Sequence, residues 1–379
     1  MSCPRIEVDL GKIGRNTQAL VRRLGTRGIG VTGVTKAVCG NPAIARAMLS
    51  GGAVGLAEAR LRNVQRLRAA GVTCPITLIR TPMLSQTEQV VQYCDSSYNT
   101  DVSVISALAA AAIRQGSVHG IILMVEMGDQ RDGILPENLT DVARQVMNIP
   151  GVALQGIGAN FACLNGGAPT ELQMKTLSGL ANEVERLCGP FLKFVSGGNS
   201  ANLPLAFGGH YTGRINDLRL GEAILLGVEP LSGEHIDGMH TDAFTLVVEV
   251  IETDAKPSPC PITFFDQTRI DLAGAATARV ILAIGHQDTD IYGLFMPNGS
   301  TLIGATSDHM LIGTSQSPPT VGGEVRFQMN YKALMHAMAA PDIKVKLLGG
   351  PTQRPPQRAR GDFDHFGIGL KDLACSNRP

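Results

Sequence analysis

The stretch Gly30-Val31-Thr32-Gly33-Val34-Thr35-Lys36-Ala37-Val38-Cys39-Gly40 decides the fold. An apolar, β-branched run carries one lysine at its end. It then breaks at Gly40-Asn41-Pro42, the pattern of a strand, a short loop and a helix capped by Asn41 with Pro42 at its first position. Lys36 therefore falls at the carboxyl end of an early parallel strand. In a (β/α)8 barrel that is the face where active sites are built, and a desolvated lysine there can lose its proton and form a Schiff base. A lysine capping a surface strand has the same local pattern, so this stretch alone leaves both readings open.

Working outward, the same unit recurs. Apolar strand-like segments at 53–57, 76–80, 96–99, 120–125, 153–159, 192–196 and 215–220 alternate with amphipathic stretches at 58–70, 101–115, 136–147 and 169–188. With the Lys36 strand this makes eight strand–helix repeats, which argues for parallel strands with right-handed crossovers. The fold class expected is α/β, a (β/α)8 TIM barrel; a doubly wound open sheet is the other closure. Near Leu231-Ser232-Gly233 the rhythm changes to β-rich runs separated by Gly, Pro and Asn turns, at 244–251, 278–284, 300–304 and 324–328. Residues 1–233 are thus expected to form the barrel and residues 234–379 a mainly β domain. The basic, proline-containing segment 353–360 reads as a loop.

Composition narrows the function classes. Lysine plus arginine equals aspartate plus glutamate at 33 each, so no nucleic-acid partner is implied. No apolar run reaches membrane-spanning length and the first residues lack a signal-peptide core, so a cytoplasmic protein without a membrane partner is expected. The eight cysteines are scattered singly, with no Cys-x-x-Cys pair and no Cys/His cluster, so no metal site is expected.

Further strand ends carry candidate chemistry. Ser196-Gly197-Gly198-Asn199-Ser200 joins glycines to a hydroxyl, the makings of a phosphate cradle late in a barrel. Arg219 sits at the last strand end before Gly221-Glu222, where it can present a permanent cation. The segments around Asn160 and from Glu126 to Arg131 also end strands in polar groups.

Taken in order, the Ile6-Glu7-Val8-Asp9-Leu10 opening, Val34 to Ala37, Glu126 to Arg131, Ser196 to Ala201 and Leu218 to Gly227 resemble the alanine racemase-like pyridoxal-phosphate enzymes of fold type III. The nearer branch is that of the ornithine- and lysine-type racemases, with its K-A-V-C-G, G-D-x-R and L-R-x-G-E-A-I-L-L-G patterns. The resemblance implies pyridoxal 5'-phosphate as cofactor, with Lys36 as Schiff-base lysine and proton-transferring base. It places Ser200 and the Gly221-Glu222 backbone at the phosphate and Arg219 at the pyridine nitrogen. It also puts Arg131 near the substrate carboxylate and Asn160 where alanine racemases have a ring-associated histidine. A homodimer with shared active sites follows too. An arginine opposite the pyridine nitrogen keeps it unprotonated, which limits side reactions.

The chain departs from the family at the opposing base. Where alanine racemases present a tyrosine from the partner subunit's β domain, this sequence has Gly285-His286-Gln287-Asp288. His286 takes the matching place and titrates near neutrality, as a two-base α-proton transfer needs. Cys163 and His309 are rivals for that role. The expected activity is an amino-acid racemase for a small-molecule amino acid, basic (ornithine or lysine) or broad in range. A fold type III decarboxylase and a non-catalytic pyridoxal-phosphate-binding protein are the alternatives.

Overall fold

The computed structural model describes residues 4–164, 167–189, 191–210, 212–254, 262–263, 269–270 and 278–349. The chain opens with β1 (Arg5–Asp9) and α1 (Leu10–Gly25), capped where the Asp9 carboxylate accepts the Lys12 N–H at 2.9 Å. Eight repeats follow: β2 (Gly30–Val34), α2 (Pro42–Ser50), β3 (Gly55–Glu58), α3 (Leu61–Ala69), β4 (Ile76–Leu78), α4 (Thr87–Tyr93), β5 (Ser96–Asn99) and α5 (Val102–Arg114). They continue with β6 (His119–Met124), α6 (Leu139–Met147), β7 (Val152–Gly158), α7 (Glu171–Cys188), β8 (Phe194–Ser196), α8 (Leu203–Phe207), β9 (Asp217–Leu220) and α9 (Glu222–Leu226).

Strands β2 to β9 close a barrel of parallel pairs, and β9 returns to β2 with Thr32 opposite Arg219 and Gly33 opposite Leu220. The TIM barrel expected from the repeat is thereby observed, and all eight strand segments fall where the sequence places them. Period-2 alternation divides each strand between two apolar environments. On β6, Ile122 and Met124 join Tyr98 inside the barrel, whereas Ile121 and Leu123 face the core beneath the helices. The helices meet that core with one stripe: on α6, Leu139, Ala143 and Val146 are buried at intervals of four and three.

The C-terminal part is an antiparallel sheet. Its elements are β10 (Phe244–Asp254), the short pair β11 (Ile262–Thr263) and β12 (Arg269–Ile270), β13 (Ala278–Leu282), β14 (Leu294–Phe295), β15 (Ser300–Ala305), β16 (Met310–Thr314), β17 (Glu324–Met329), α10 (Tyr331–Ala339) and β18 (Lys344–Leu348). The order is β14-β17-β10-β13-β16-β15, with β11 and β12 paired apart from it. β1, which precedes the barrel in the chain, belongs to this sheet. It pairs antiparallel with β10 and parallel with β18. The reason lies in its pattern: buried Ile6 and Val8 alternate with Arg5 and Glu7, which suits a sheet with one polar face. The helix α10 is the helical part of this mainly β region. Asn330 caps it by accepting the Ala333 N–H at 2.9 Å, and it packs against the Lys36–Val38 turn. Residues 353–360 lie outside the described residues. Among the described residues, no helix is long and apolar enough to cross a membrane.

β1 is clasped by charge. The Glu7 carboxylate, 7% exposed, accepts from Arg5 Nε and Lys346 Nζ at 3.0 Å each and from Arg326. Arg326 above all, then Lys346, holds the Glu7 carboxyl down at about 2 against the opposing effect of burial. A depressed carboxyl stabilises the fold above its unfolded value near 4.5, and that contribution is lost as pH falls toward 2. With Arg326 half exposed the full shift is discounted, and Glu7→Gln is expected to cost about 2 kcal/mol at neutral pH. Urea melts from pH 7 down to pH 3 check this; a wild-type advantage that does not shrink below pH 4.5 would contradict the assignment.

Candidate active site

The lysine turn begins one residue past β2. Thr35 takes φ −103° and ψ 7°, Lys36–Val38 forms a 3-10 turn, and Cys39 enters the left-handed region at φ 52°. Gly40 follows at φ +60°, and a Cβ there would lie 2.8 Å from both Cβ and O of Asn63, so only glycine fits. Asn41 then caps α2 by accepting the Ala43 and Ile44 N–H groups, with Pro42 at the first position. Lys36 thus stands at the carboxyl end of the barrel. In the single chain it is exposed rather than desolvated, because it leaves from a turn on the rim and not from within the strand.

Arg219 lies deeper, 5% exposed at the end of β9. Its Nη1 donates to the Tyr98 hydroxyl at 2.9 Å and to Ser196 Oγ at 2.6 Å, and its Nη2 donates to the Ala159 carbonyl at 2.8 Å. The guanidinium also lies over the Tyr98 ring at 4.6 Å. Ser196 passes its own proton to Asp217 Oδ2 at 2.5 Å, and Thr32 donates to Asp217 Oδ1 at 2.6 Å. A cation is therefore fixed in the barrel mouth with four strands contributing to its surroundings.

Beside it, the Ser200 hydroxyl, 3% exposed, accepts the Ala223 N–H at 3.3 Å and ties the β8 loop to the start of α9. The N-cap, Gly221, has no side chain of its own to cap that start, so Ser200 reaches it from the β8 loop. Burial pushes the half-buried Glu222 carboxyl up to about 7, Glu229 adds to the shift and Lys36 opposes it. Tyr331, at the head of α10, is half-buried over this region. Its phenol is pushed up by burial, then by Glu222, Glu58 and Cys163.

A third group joins the ends of β6, β7 and β8. Asp129, 5% exposed, accepts the Cys163 N–H at 2.8 Å, the Leu164 N–H at 3.0 Å and Asn160 Nδ2 at 3.1 Å. Asn199 Nδ2 donates to the Phe161 carbonyl at 2.8 Å and approaches Cys163 Sγ at 3.5 Å. Arg131 is exposed, 2.5 Å from Asp132 Oδ1 and 4.0 Å from Asp129 Oδ2. The two opposing-base candidates on the C-terminal sheet lie elsewhere. His286 is exposed on a turn, donates its N–H to the Thr306 carbonyl at 2.9 Å and has Tyr292 5.9 Å away, ring to ring. His309 is exposed on the adjoining turn. Among the described residues, no hydrogen bond, ion pair or ring contact joins either imidazole to the mouth of its own barrel.

Residues 8–230 match the family described as alanine racemase, N-terminal domain. The chain belongs to this family. Alanine racemase-family relatives similar over nearly the whole chain are an ornithine racemase of Acetoanaerobium sticklandii, 33% identical over 91% of this chain and 99% of the relative, and a lysine racemase of Thermotoga maritima, 32% identical over 91% and 98%. Among solved structures, the alanine racemase of a D-cycloserine-producing Streptomyces lavendulae superposes with a TM-score of 0.72 at 17% identity, covering 92% of this chain and 98% of that one. A D-threonine aldolase of Filomicrobium marinum reaches 0.69 at 14% identity, over 89% and 88%. At such identities the likeness is one of fold alone.

The family's mouth thus gathers Lys36, Ser200, Arg219, Gly221 and Glu222 on one rim, with Asn160, Arg131 and Cys163 on a neighbouring arc. Sequence reasoning quoted Asp129 only within the Glu126 to Arg131 segment and singled out none of Tyr98, Glu58 and Tyr331. Tyr98 had one legible signal, a single aromatic inside the otherwise polar Ser96-Ser97-Tyr98-Asn99 strand.

Proposed function

We propose that this chain is a pyridoxal-phosphate-dependent amino-acid racemase that interconverts the L and D forms of ornithine or lysine in the cytoplasm. The observation that carries the reading is the near full-length likeness to ornithine and lysine racemases, with Lys36, Ser200 and Arg219 on one barrel mouth.

The donor set fits the cofactor. An anionic phosphate suits the Ser200 hydroxyl and the Gly221-Glu222 backbone beside it. Arg219, held on three sides by Tyr98, Ser196 and Ala159, suits a ring nitrogen that must stay unprotonated. Glu222 does not oppose an anion as a full charge would, because burial holds its carboxyl at about 7. When bound, the cofactor supplies an electron sink that acidifies the substrate's α-hydrogen.

The chain's own residues do the rest. The Lys36 amine takes a proton from the α-carbon on one face or returns it there. Arg131 would orient the substrate carboxylate, and Asn160, held by Asp129, would help to hold the cofactor. The second base acts on the opposite face. His286 is our assignment, supplied across a homodimer from the partner's sheet, since its exposed turn makes no contact with its own mouth. Cys163 and His309 remain the variants to compare with it.

Incubating the purified holoenzyme with L-ornithine, L-lysine, L-arginine, L-serine or L-alanine and resolving enantiomers tests the reading. D-ornithine or D-lysine is expected to accumulate toward a 1:1 mixture, as an isomerase equilibrium requires. Carbon dioxide release with the diamine as product would replace the racemase by a decarboxylase. A visible cofactor band without any product would leave a carrier.

A further inference from the structure

Behind Lys36 lies a carboxylate with no exposed surface at all. Glu58 ends β3, and its two oxygens serve different elements. Oε2 accepts the Ala59 N–H at 2.9 Å, the Arg60 N–H at 3.3 Å and Asn63 Nδ2 at 3.2 Å, and so closes the start of α3, which its N-cap Arg60 does not cap. Oε1 accepts the Thr35 hydroxyl at 2.9 Å. Thr35 is fully buried, immediately precedes Lys36, and accepts the Val38 and Gly40 N–H groups on its carbonyl at 3.1 Å each.

The far end of the lysine turn bears on the same unit. Gly40 presses against Asn63, the side chain that donates to Glu58. Arg66 of α3 donates to the Cys39 carbonyl at 2.9 Å. Both ends of the turn that presents Lys36 are therefore registered against Glu58 and the helix it starts.

We propose that Glu58 is a positioning residue for Lys36, acting through the Thr35 hydroxyl. The inference rests on the role given to Lys36 above. Glutamine is not a clean probe: with its oxygen on the backbone N–H groups its NH2 can donate to the Thr35 hydroxyl, which keeps the contact with its direction reversed. Glu58→Leu removes both acceptor oxygens. Thr35→Val keeps the shape and removes only the hydroxyl, whereas Thr35→Ser keeps the hydroxyl.

Two readouts test this without relying on turnover. The first is the pH dependence of Lys36 acetylation by acetic anhydride in the cofactor-free protein, read by peptide mass spectrometry. The second is the affinity for pyridoxal phosphate, by absorbance titration of the full chain. Thr35→Val and Glu58→Leu are each expected to change Lys36 labelling and to weaken cofactor binding by about tenfold, the size of one lost buried hydrogen bond. Thr35→Ser should restore both, and the double variant Thr35→Val with Glu58→Leu should be no worse than Glu58→Leu alone. Variants that melt earlier but label and bind like the wild type would overturn the proposal and leave Glu58 with α3 alone. A wild-type protein that binds no cofactor would sink the racemase reading instead, while the labelling comparison would still decide Glu58.

Discussion

Replacing Lys36 by alanine is expected to lower the racemisation of ornithine or lysine by at least about 10⁴-fold and to abolish the visible cofactor band of the purified protein. In the proposed mechanism the lysine does two things, holding the cofactor and moving the α-proton on one face, so its loss removes both. The rim geometry explains why a neighbour cannot substitute. Glu222 is beside Lys36 but is an acid held at about 7, and Arg219 is locked by three acceptors at 2.6 to 2.9 Å. Folding should be nearly untouched, because the Lys36 side chain is exposed. Chiral chromatography after long incubation gives the rate, and a melt gives the control. Retention of more than about a hundredth of the activity, with the protein folded, would remove Lys36 from the mechanism.

That Lys36 was legible and Glu58 was not follows from the range over which each is specified. The strand, the turn and the Asn41-Pro42 cap are local, so the sequence around Lys36 carries its own placement. The eight barrel strands were legible for the same reason, each being an apolar run bounded by turn residues. Glu58 acquires its partner only when β3 pairs with β2 and brings Ala57 beside Val34. Tyr98 and Arg219 meet only because the barrel closes, since they are 121 residues apart in sequence. The sheet that β1 joins was not legible because its pairing partners are about 240 and 340 residues downstream, and nothing local reports them. Tyr331 sits on a nine-residue helix in a stretch whose neighbours are all strands, and only the packing of that helix on the lysine turn brings it to the mouth.

The second large effect is one of stability. Arg219→Met is expected to destabilise the fold by about 3 kcal/mol, since it strips a donor from Tyr98, Ser196 and the Ala159 carbonyl at once in a site that is 5% exposed. Asp217 would then face only the hydroxyls of Ser196 and Thr32, a buried carboxylate without a cation nearby. Arg219→Lys keeps the charge but replaces a planar fork by one point, and one ammonium cannot match the directions of Tyr98, Ser196 and Ala159 together. It should fall between the two, and the order wild type, lysine, methionine in chemical melts is the result that checks the network. If methionine proved as stable as arginine, the cation would be a burden that the fold tolerates for the sake of the mouth, and its place would have to be explained by chemistry alone. A loss in both variants with cofactor affinity falling further in methionine than in lysine is the expected pattern, because a lysine still offers a charge to the ring while failing to close the barrel's hydrogen bonds.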